Sequence, residues 1–249
     1  MKQPRTYLIY GANSCIGSEL AKNILSEVDN LILFYHEKTD KIKTLFAESK
    51  VHVIQSDIRD FKDLQSKVTK LQSEINITDV GAVYLPAIRS YDHKPLSETS
   101  LEIAKEIIDI NFLGAVHFLK AILPLNKCVE SMRIVMIGSN VSRTGLKNGS
   151  VYAATKSAIS SLIQSVAMEE GRYNTLINAV SPGPVETDNS NYSSDYAKFR
   201  EEYFETQKAL TSLNRIASVN DVCLAVKFLT SLENRHITGE EIFVTGGKL

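Results

Sequence analysis

The stretch Thr6-Tyr7-Leu8-Ile9-Tyr10-Gly11-Ala12-Asn13-Ser14-Cys15-Ile16-Gly17 runs from a short apolar segment, through a glycine turn, into helical periodicity. Ile16, Leu20, Ile24, Leu25 and Val28 recur at the spacing of one helix face. A glycine after a strand permits a tight turn, and small residues let backbone N–H groups approach a phosphate. The helix that follows adds its unsatisfied N–H groups and the positive end of its dipole. On this reading Gly11, Asn13, Ser14, Cys15, Ile16 and Gly17 form a phosphate cradle. Two glycines at this spacing carry little weight alone, and the alternative is a plain loop leading into a helix.

Outward from this turn the same alternation repeats. Short apolar runs at Thr6–Tyr10, Leu31–Tyr35, Val51–Gln55, Val80–Leu85, Ile134–Ile137, Leu176–Val180 and Ile242–Val244 predict seven strands. Between them, helical patterns are expected at Lys41–Ser49, Phe61–Ile75, Leu101–Leu123, Tyr152–Met168 and Asp221–Leu229. Strands that read as continuous apolar runs are buried on both faces, as in a parallel sheet covered by helices. With the right-handed crossover rule this predicts an α/β fold. It is a doubly wound parallel seven-stranded sheet with helices on both faces, in a single domain over residues 1–249. Functional loops in such sheets lie at the carboxyl ends of strands. The polar interval Thr187–Asp195 and an aromatic helix at Tyr196–Leu210 follow the sixth strand. They predict a lid over about residues 187–213, with Tyr192, Tyr196, Phe199, Tyr203 and Phe204 as its apolar face or as core and subunit contacts.

Composition narrows the class. In 249 residues, 28 Lys+Arg balance 29 Asp+Glu, 43% of residues are hydrophobic and 23% are charged, which excludes a disordered chain and a strongly basic nucleic-acid binder. Cys15, Cys128 and Cys223 are far apart and lack metal-ligand spacing, so free thiols and no metal are expected. With no signal-like apolar segment and no unbroken apolar run of membrane length, a cytoplasmic protein without membrane or nucleic-acid partners is expected.

Tyr152 and Lys156 lie four apart and therefore on one helix face. A free tyrosine has a pKa of about 10, too high for proton transfer at neutral pH. An ammonium beside it favours the phenolate and makes it a usable acid and base for a carbonyl/alcohol pair. The pair is expected about once by chance, so its company matters. Ser139 follows the fifth strand, where its hydroxyl can bond the same substrate oxygen. Asn111 interrupts the apolar pattern of the preceding helix and calls for a buried partner. Asp57, beside Ile58 after the third strand, can accept from an adenine amino group or cap the next helix. Ser181-Pro182-Gly183-Pro184-Val185-Glu186-Thr187 makes a rigid turn whose backbone can face a planar ring.

In these motifs and their order the sequence resembles the short-chain dehydrogenase/reductase family, in its branch of about 250 residues, with the layout of 3-oxoacyl-carrier-protein reductases. The resemblance spans Thr6 to Leu249 and implies a Rossmann-type fold and an NAD(P)(H)-dependent oxidoreductase. It implies catalytic roles for Asn111, Ser139, Tyr152 and Lys156, and cofactor contacts at Gly11–Gly17, Asp57, Ile58, Pro182, Gly183, Val185 and Thr187. Three departures stand out. Tyr10 and Cys15 replace the family's Thr and middle Gly, the usual Asn-Asn-Ala-Gly reads Leu85-Pro86-Ala87-Ile88 with Ala87 as the remaining cofactor contact, and Thr245 replaces an Asp. At the adenosine end the expected acid is Tyr35, and His36 and Lys38 can meet a 2′-phosphate while Glu37 opposes it. NADP(H) is favoured, with NAD(H) as the alternative. The resemblance further implies a small carbonyl or alcohol substrate, free or carrier-bound, and a homodimer or homotetramer through the helices at 101–123 and 150–170. Arg89, Arg143, Lys147 and Lys198 stand as candidate contacts for an anionic carrier, or as solvated charge. The rival readings are a non-catalytic nucleotide-sensing or scaffolding protein on the same fold and a sugar-nucleotide epimerase or dehydratase.

Overall fold

In the computed structural model, which describes residues 5–86, 93–187 and 194–248, the chain alternates strands and helices. The strands are β1 (Arg5–Tyr10), β2 (Asn30–Tyr35), β3 (Val51–Gln55), β4 (Asp79–Tyr84), β5 (Ser131–Ile137), β6 (Thr175–Pro182), β7 (Val185–Glu186), β8 (Ala217–Ser218) and β9 (Glu241–Val244). The helices are α1 (Cys15–Ile24), α2 (Phe61–Glu74), α3 (Leu101–Ile108), α4 (Gly114–Ile122), α5 (Val141–Thr144), α6 (Ser150–Glu170), α7 (Ser194–Ala209) and α8 (Val219–Thr230). Seven strands form one parallel sheet in the order β3-β2-β1-β4-β5-β6-β9. Strand order reverses between β1 and β4, which opens the crevice at the carboxyl ends where ligands bind in such sheets.

Alternation along β1 explains the two layers. Leu8 and Tyr10 face a core with Phe118, Ile122, Ile159 and Ile163, whereas Tyr7 and Ile9 face one with Leu20, Ile24, Val222 and Val226. Tyr10 fills its face: its ring stacks on Phe34 at 5.6 Å between centroids and lies 6.0 Å from Phe118, and its hydroxyl donates to the Ser56 carbonyl. The residue that departs from the family pattern is thus a core aromatic.

Two expectations need correction. The helix expected at Lys41–Ser49 is only a 3₁₀ turn at Lys43–Ala47, in which Leu45 is buried. Two apolar anchors, Ile42 and Leu45, suffice to cover this crossover without a full amphipathic helix. The helix expected at Leu101–Leu123 is continuous but contains a π turn at Asp109–Leu113, between α3 and α4. The whole run Leu101–Lys127 is long and apolar enough to cross a membrane by length and composition, with a mean hydropathy of 1.5 and 44% burial in its most apolar window. Its inner residues, Phe118 and Ile122 among them, pack into the sheet core.

Gly11 ends β1 at φ +82°, and a Cβ there would sit 2.5 Å from the Leu85 carbonyl oxygen. Gly11→Ala is therefore expected to cost about 1–3 kcal/mol through strain at positive φ, with Leu85 unable to retreat from a hydrogen-bonded strand end. Gly171→Ala, whose Cβ would meet open space, is expected to stay within about 0.5 kcal/mol. Urea unfolding of the two variants checks the contrast.

Candidate active site

The cradle after β1 is built by short-range bonds. The N–H groups of Gly11 and Ala12 both donate to the Phe34 carbonyl, at 3.2 and 3.0 Å, which pins the turn over β2. Ser14 caps α1 by accepting from the Gly17 N–H at 3.0 Å, and a Cβ on Gly17 would lie 2.5 Å from the Gly11 carbonyl oxygen. The first-turn N–H groups of Cys15 and Ile16 have no partner within the helix and can serve a phosphate. Cys15 is the first residue of α1 and only partly covered. It borders a cavity of about 620 Å³ that Ser18, Lys22, Lys41 and Thr187 also line. The same space is also lined by Glu19, Asp40 and Glu186, so it is the first-turn N–H groups that suit a dinucleotide's pyrophosphate here.

At the adenosine end the sequence expectations are partly revised. The Asn13 amide donates to Asp40 at 3.0 Å and its oxygen accepts from the Lys41 N–H at 2.9 Å, so Asn13 ties the cradle to the loop after β2. His36 is 46% exposed, and two carboxylates flank it: its Nε2 lies 3.5 Å from Asp57 and its Nδ1 3.8 Å from Glu37. Asp57 accepts from the Arg59 guanidinium and backbone, which holds its carboxyl at about 2, well below the usual range. Ile58 is a core residue rather than a side-chain contact, because a Cβ on Gly114 of α4 would lie 2.7 Å from it. Tyr35 is half-buried at the end of β2. Ala87 and Arg89 lie outside the described residues, as do Tyr192 and the side chains of Tyr196 and Phe199.

The four proposed catalytic positions come from three neighbouring elements. Lys156 on α6 is fully buried, and its Nζ donates to the Ile137 carbonyl at 3.2 Å, two residues before Ser139. The same Nζ lies 5.6 Å from the centre of the half-buried Tyr152 ring. Burial pushes the Lys156 ammonium down to about 7. Ser139 is partly exposed, and its Oγ accepts from the Val141 N–H at 3.4 Å. Asn111 is fully buried inside the π turn, which packs against α6. The Tyr84 hydroxyl donates to the Ile110 carbonyl within this turn at 3.2 Å. The apolar pattern of Leu101–Leu123 reads as one helix and does not mark this turn.

On the far side, the Gly183 N–H donates to the Val244 carbonyl and the Asn140 N–H to the Pro182 carbonyl. The short β7–β8 ladder, unforeseen in sequence, brings together both ends of the segment that carries α7. Arg200 on α7 donates to the Thr187 hydroxyl at 2.6 Å and lies 5.0 Å from the Phe204 ring centre. Arg143, an exposed residue, stacks over the Phe243 ring at 4.7 Å. Among the described residues no His/Cys/Asp/Glu group could hold a metal.

A doubly wound sheet with a phosphate cradle after β1, and a tyrosine beside a buried lysine at the carboxyl ends of its strands, defines a Rossmann-type oxidoreductase. A family model described as enoyl-(acyl carrier protein) reductase matches residues 11–248. The chain belongs to the short-chain dehydrogenase/reductase family. It is 26% identical to a 3-oxoacyl-[acyl-carrier-protein] reductase of Staphylococcus aureus, over 99% of both chains. It is 29% identical to the oxidoreductase UcpA of Salmonella typhimurium, over 98% of this chain and 94% of that one. A solved short-chain dehydrogenase from Brucella melitensis superposes with a TM-score of 0.85 at 25% identity, over 99% and 97% of the two chains. ElxO with NADP bound superposes with a TM-score of 0.85 at 24% identity, over 99% and 98%.

The buried ammonium has a stability signature. An unfolded lysine titrates at about 10.4, whereas Lys156 sits at about 7 in the fold. Between those values the unfolded chain binds the extra proton, so stability rises with pH. In the cofactor-free protein the urea midpoint is expected to climb from pH 7 to pH 8.5, and Lys156→Met to flatten that climb. An unchanged slope in the variant would assign the effect to another group.

Proposed function

We propose that this oxidoreductase is an NADP(H)-dependent carbonyl reductase, acting on a 3-oxoacyl thioester or a similar ketone. The observation that carries the reading is the fully buried Lys156 ammonium, one helical turn from Tyr152 and tied to the end of β5 beside Ser139.

When bound, the reduced nicotinamide supplies the hydride that adds to the substrate carbonyl carbon. Tyr152 gives its phenolic proton to the carbonyl oxygen as that oxygen gains charge. The Ser139 hydroxyl donates to the same oxygen and holds the carbonyl carbon in place. Lys156, held by the Ile137 carbonyl, favours the phenolate of Tyr152 and offers its remaining N–H groups to the cofactor's ribose hydroxyls. Asn111 would hold a water on the route by which Lys156 exchanges protons with solvent. The first-turn N–H groups of Cys15 and Ile16 take the pyrophosphate, and Asp57 the adenine amino group through lone pairs not used by Arg59. The turn Pro182–Thr187 flanks the nicotinamide through its backbone and the Thr187 hydroxyl.

Preference for the 2′-phosphorylated cofactor is supported by the absence of an acid at Tyr35 and by Lys38 and Lys41 in the loop after β2. It also draws on the NADP bound in ElxO and in an Agrobacterium tumefaciens 3-oxoacyl reductase structure. The acyl thioester draws on the carrier-protein reductases among the relatives. Residues 187–213 act as the substrate lid, with Tyr203 and Phe204 in contact at 5.9 Å between rings. Self-association through α3, α4 and α6 is supported by Leu101 and Met168, which stand 82% and 81% exposed.

Titration with NADPH and NADH, read by nicotinamide fluorescence, tests the cofactor. NADPH is expected to bind at least about tenfold more tightly, a difference of about 1.4 kcal/mol. Equal binding, or none of either, overturns the assignment. With NADPH and acetoacetyl-coenzyme A as probe, Tyr152→Phe is expected to lose at least about 10²-fold in kcat, as removal of a general acid does. Its NADPH affinity should remain close to that of the parent. A Tyr152→Phe enzyme at parental rate would remove Tyr152 from the chemistry.

A further inference from the structure

Glu241 opens β9 and is absent from the cradle and from the four catalytic positions, yet its carboxylate is the meeting point of the site's supports. Its Oε1 accepts from Ser142 at 2.9 Å and from Ser181, and its Oε2 accepts from Ser160 at 2.7 Å. Each donor sits beside a functional group. Ser142 is in α5, three residues after Ser139. Ser160 is one helical turn beyond Lys156 on α6, and Ser181 immediately precedes Pro182-Gly183. A second bond, from the Ser157 hydroxyl to the Ser142 carbonyl at 2.8 Å, closes the same corner.

The carboxylate is half-buried, and the ion pairs among the described residues do not include it. Three hydroxyl donors stand in for the water it has lost. The packing around it leaves no slack: a Cβ on Gly138 would lie 2.1 Å from the Ser181 hydroxyl and 3.4 Å from the Glu241 carboxylate. A half-buried carboxylate costs stability unless it is satisfied, so a residue that only had to fill β9 would be apolar. The one task that uses all three bonds is to fix three separate chain segments against one strand.

We infer that Glu241 is a positioning residue: through Ser142, Ser160 and Ser181 it sets the relative placement of the Ser139 turn, the Tyr152/Lys156 helix and the Pro182-Gly183 turn. The inference rests on the proposed reductase reading for its catalytic consequence, though not for its structural one. Misplacing reacting groups by about 1 Å can cost on the order of 10²-fold in rate.

The test uses Glu241→Ala, Glu241→Gln, Ser160→Ala and the double variant Glu241→Ala/Ser160→Ala, assayed with NADPH and acetoacetyl-coenzyme A. For Glu241→Ala, kcat is expected to fall by about tenfold or more while the KM for NADPH stays within about threefold, because misalignment weakens the transition state and not cofactor binding. Glu241→Gln is expected to recover most of the rate. Its amide oxygen still accepts from Ser142 and Ser181, and Ser160 keeps the Lys156 carbonyl as an acceptor at 3.4 Å. The double variant is expected to be no slower than Glu241→Ala, since the two groups act in one contact. Amide hydrogen exchange on the cofactor-free proteins supplies a readout independent of turnover: faster exchange is expected across residues 139–142 and 150–160. Parental kcat in Glu241→Ala, or faster exchange confined to β9, overturns the inference. If the parent itself fails to reduce the probe, the substrate reading falls, and exchange alone decides the role of Glu241. If Glu241→Ala does not fold, Ser160→Ala, which removes the Oε2 bond, carries the exchange comparison, with Glu241→Gln as the control expected to exchange as the parent does.

Discussion

Between β1 and β4 the chain leaves no room for a side chain at Gly11. That close approach governs the rest of the molecule. The two strands are adjacent although a long stretch of sequence separates them, and the crossovers leave them on opposite faces of the sheet. The crevice between those departures opens only if the turn after β1 lies flat over β2, which the bonds from Gly11 and Ala12 to the Phe34 carbonyl ensure. Positive φ at Gly11 then aims α1 so that its amino end faces the crevice.

The catalytic side depends on the opposite economy, a charge kept where water is scarce. Lys156 has one protein acceptor, the Ile137 carbonyl, and burial lowers its affinity for a proton. A lysine so placed gains most from any further acceptor brought to it. The fold sustains this by rigidity around it. Tyr84 donates to the Ile110 carbonyl in the π turn, and Asn111 beside it is buried against α6. Glu241 gathers three serine hydroxyls from the surrounding segments.

The departures from the family's usual sequence turn out to be matters of packing. Tyr10 joins Phe34, Tyr84 and Phe118 in an aromatic layer, with its hydroxyl satisfied by Ser56. Leu85 is buried against Gly11 and takes part in the strand ladder through its N–H bond to the Tyr10 carbonyl. Cys15 borders open space rather than blocking it. At Tyr10 and Leu85 apolar contact stands where the family has a polar side chain, while the backbone path that shapes the crevice persists. That argues against reading them as signs of a scaffold that has lost its site.

The order of strands and helices was legible in the residues, because burial on both faces writes strands as unbroken apolar runs and helices as stripes. The cradle at Gly11–Gly17 and the pair Tyr152–Lys156 were legible for the same reason: both are local, set by spacings within one turn or one helix. Contacts between segments distant in sequence were not. Nothing in the sequence around His36 tells that it faces Asp57, since that contact joins the ends of β2 and β3. The π turn at Asn111, the β7–β8 ladder and the serines gathered by Glu241 likewise exist only once the sheet has assembled. Local periodicity and motif spacing determined the fold and the choice of candidate site residues. Tertiary structure alone decided how those groups are held, because hydrogen bonds between remote segments leave no periodic trace in the chain.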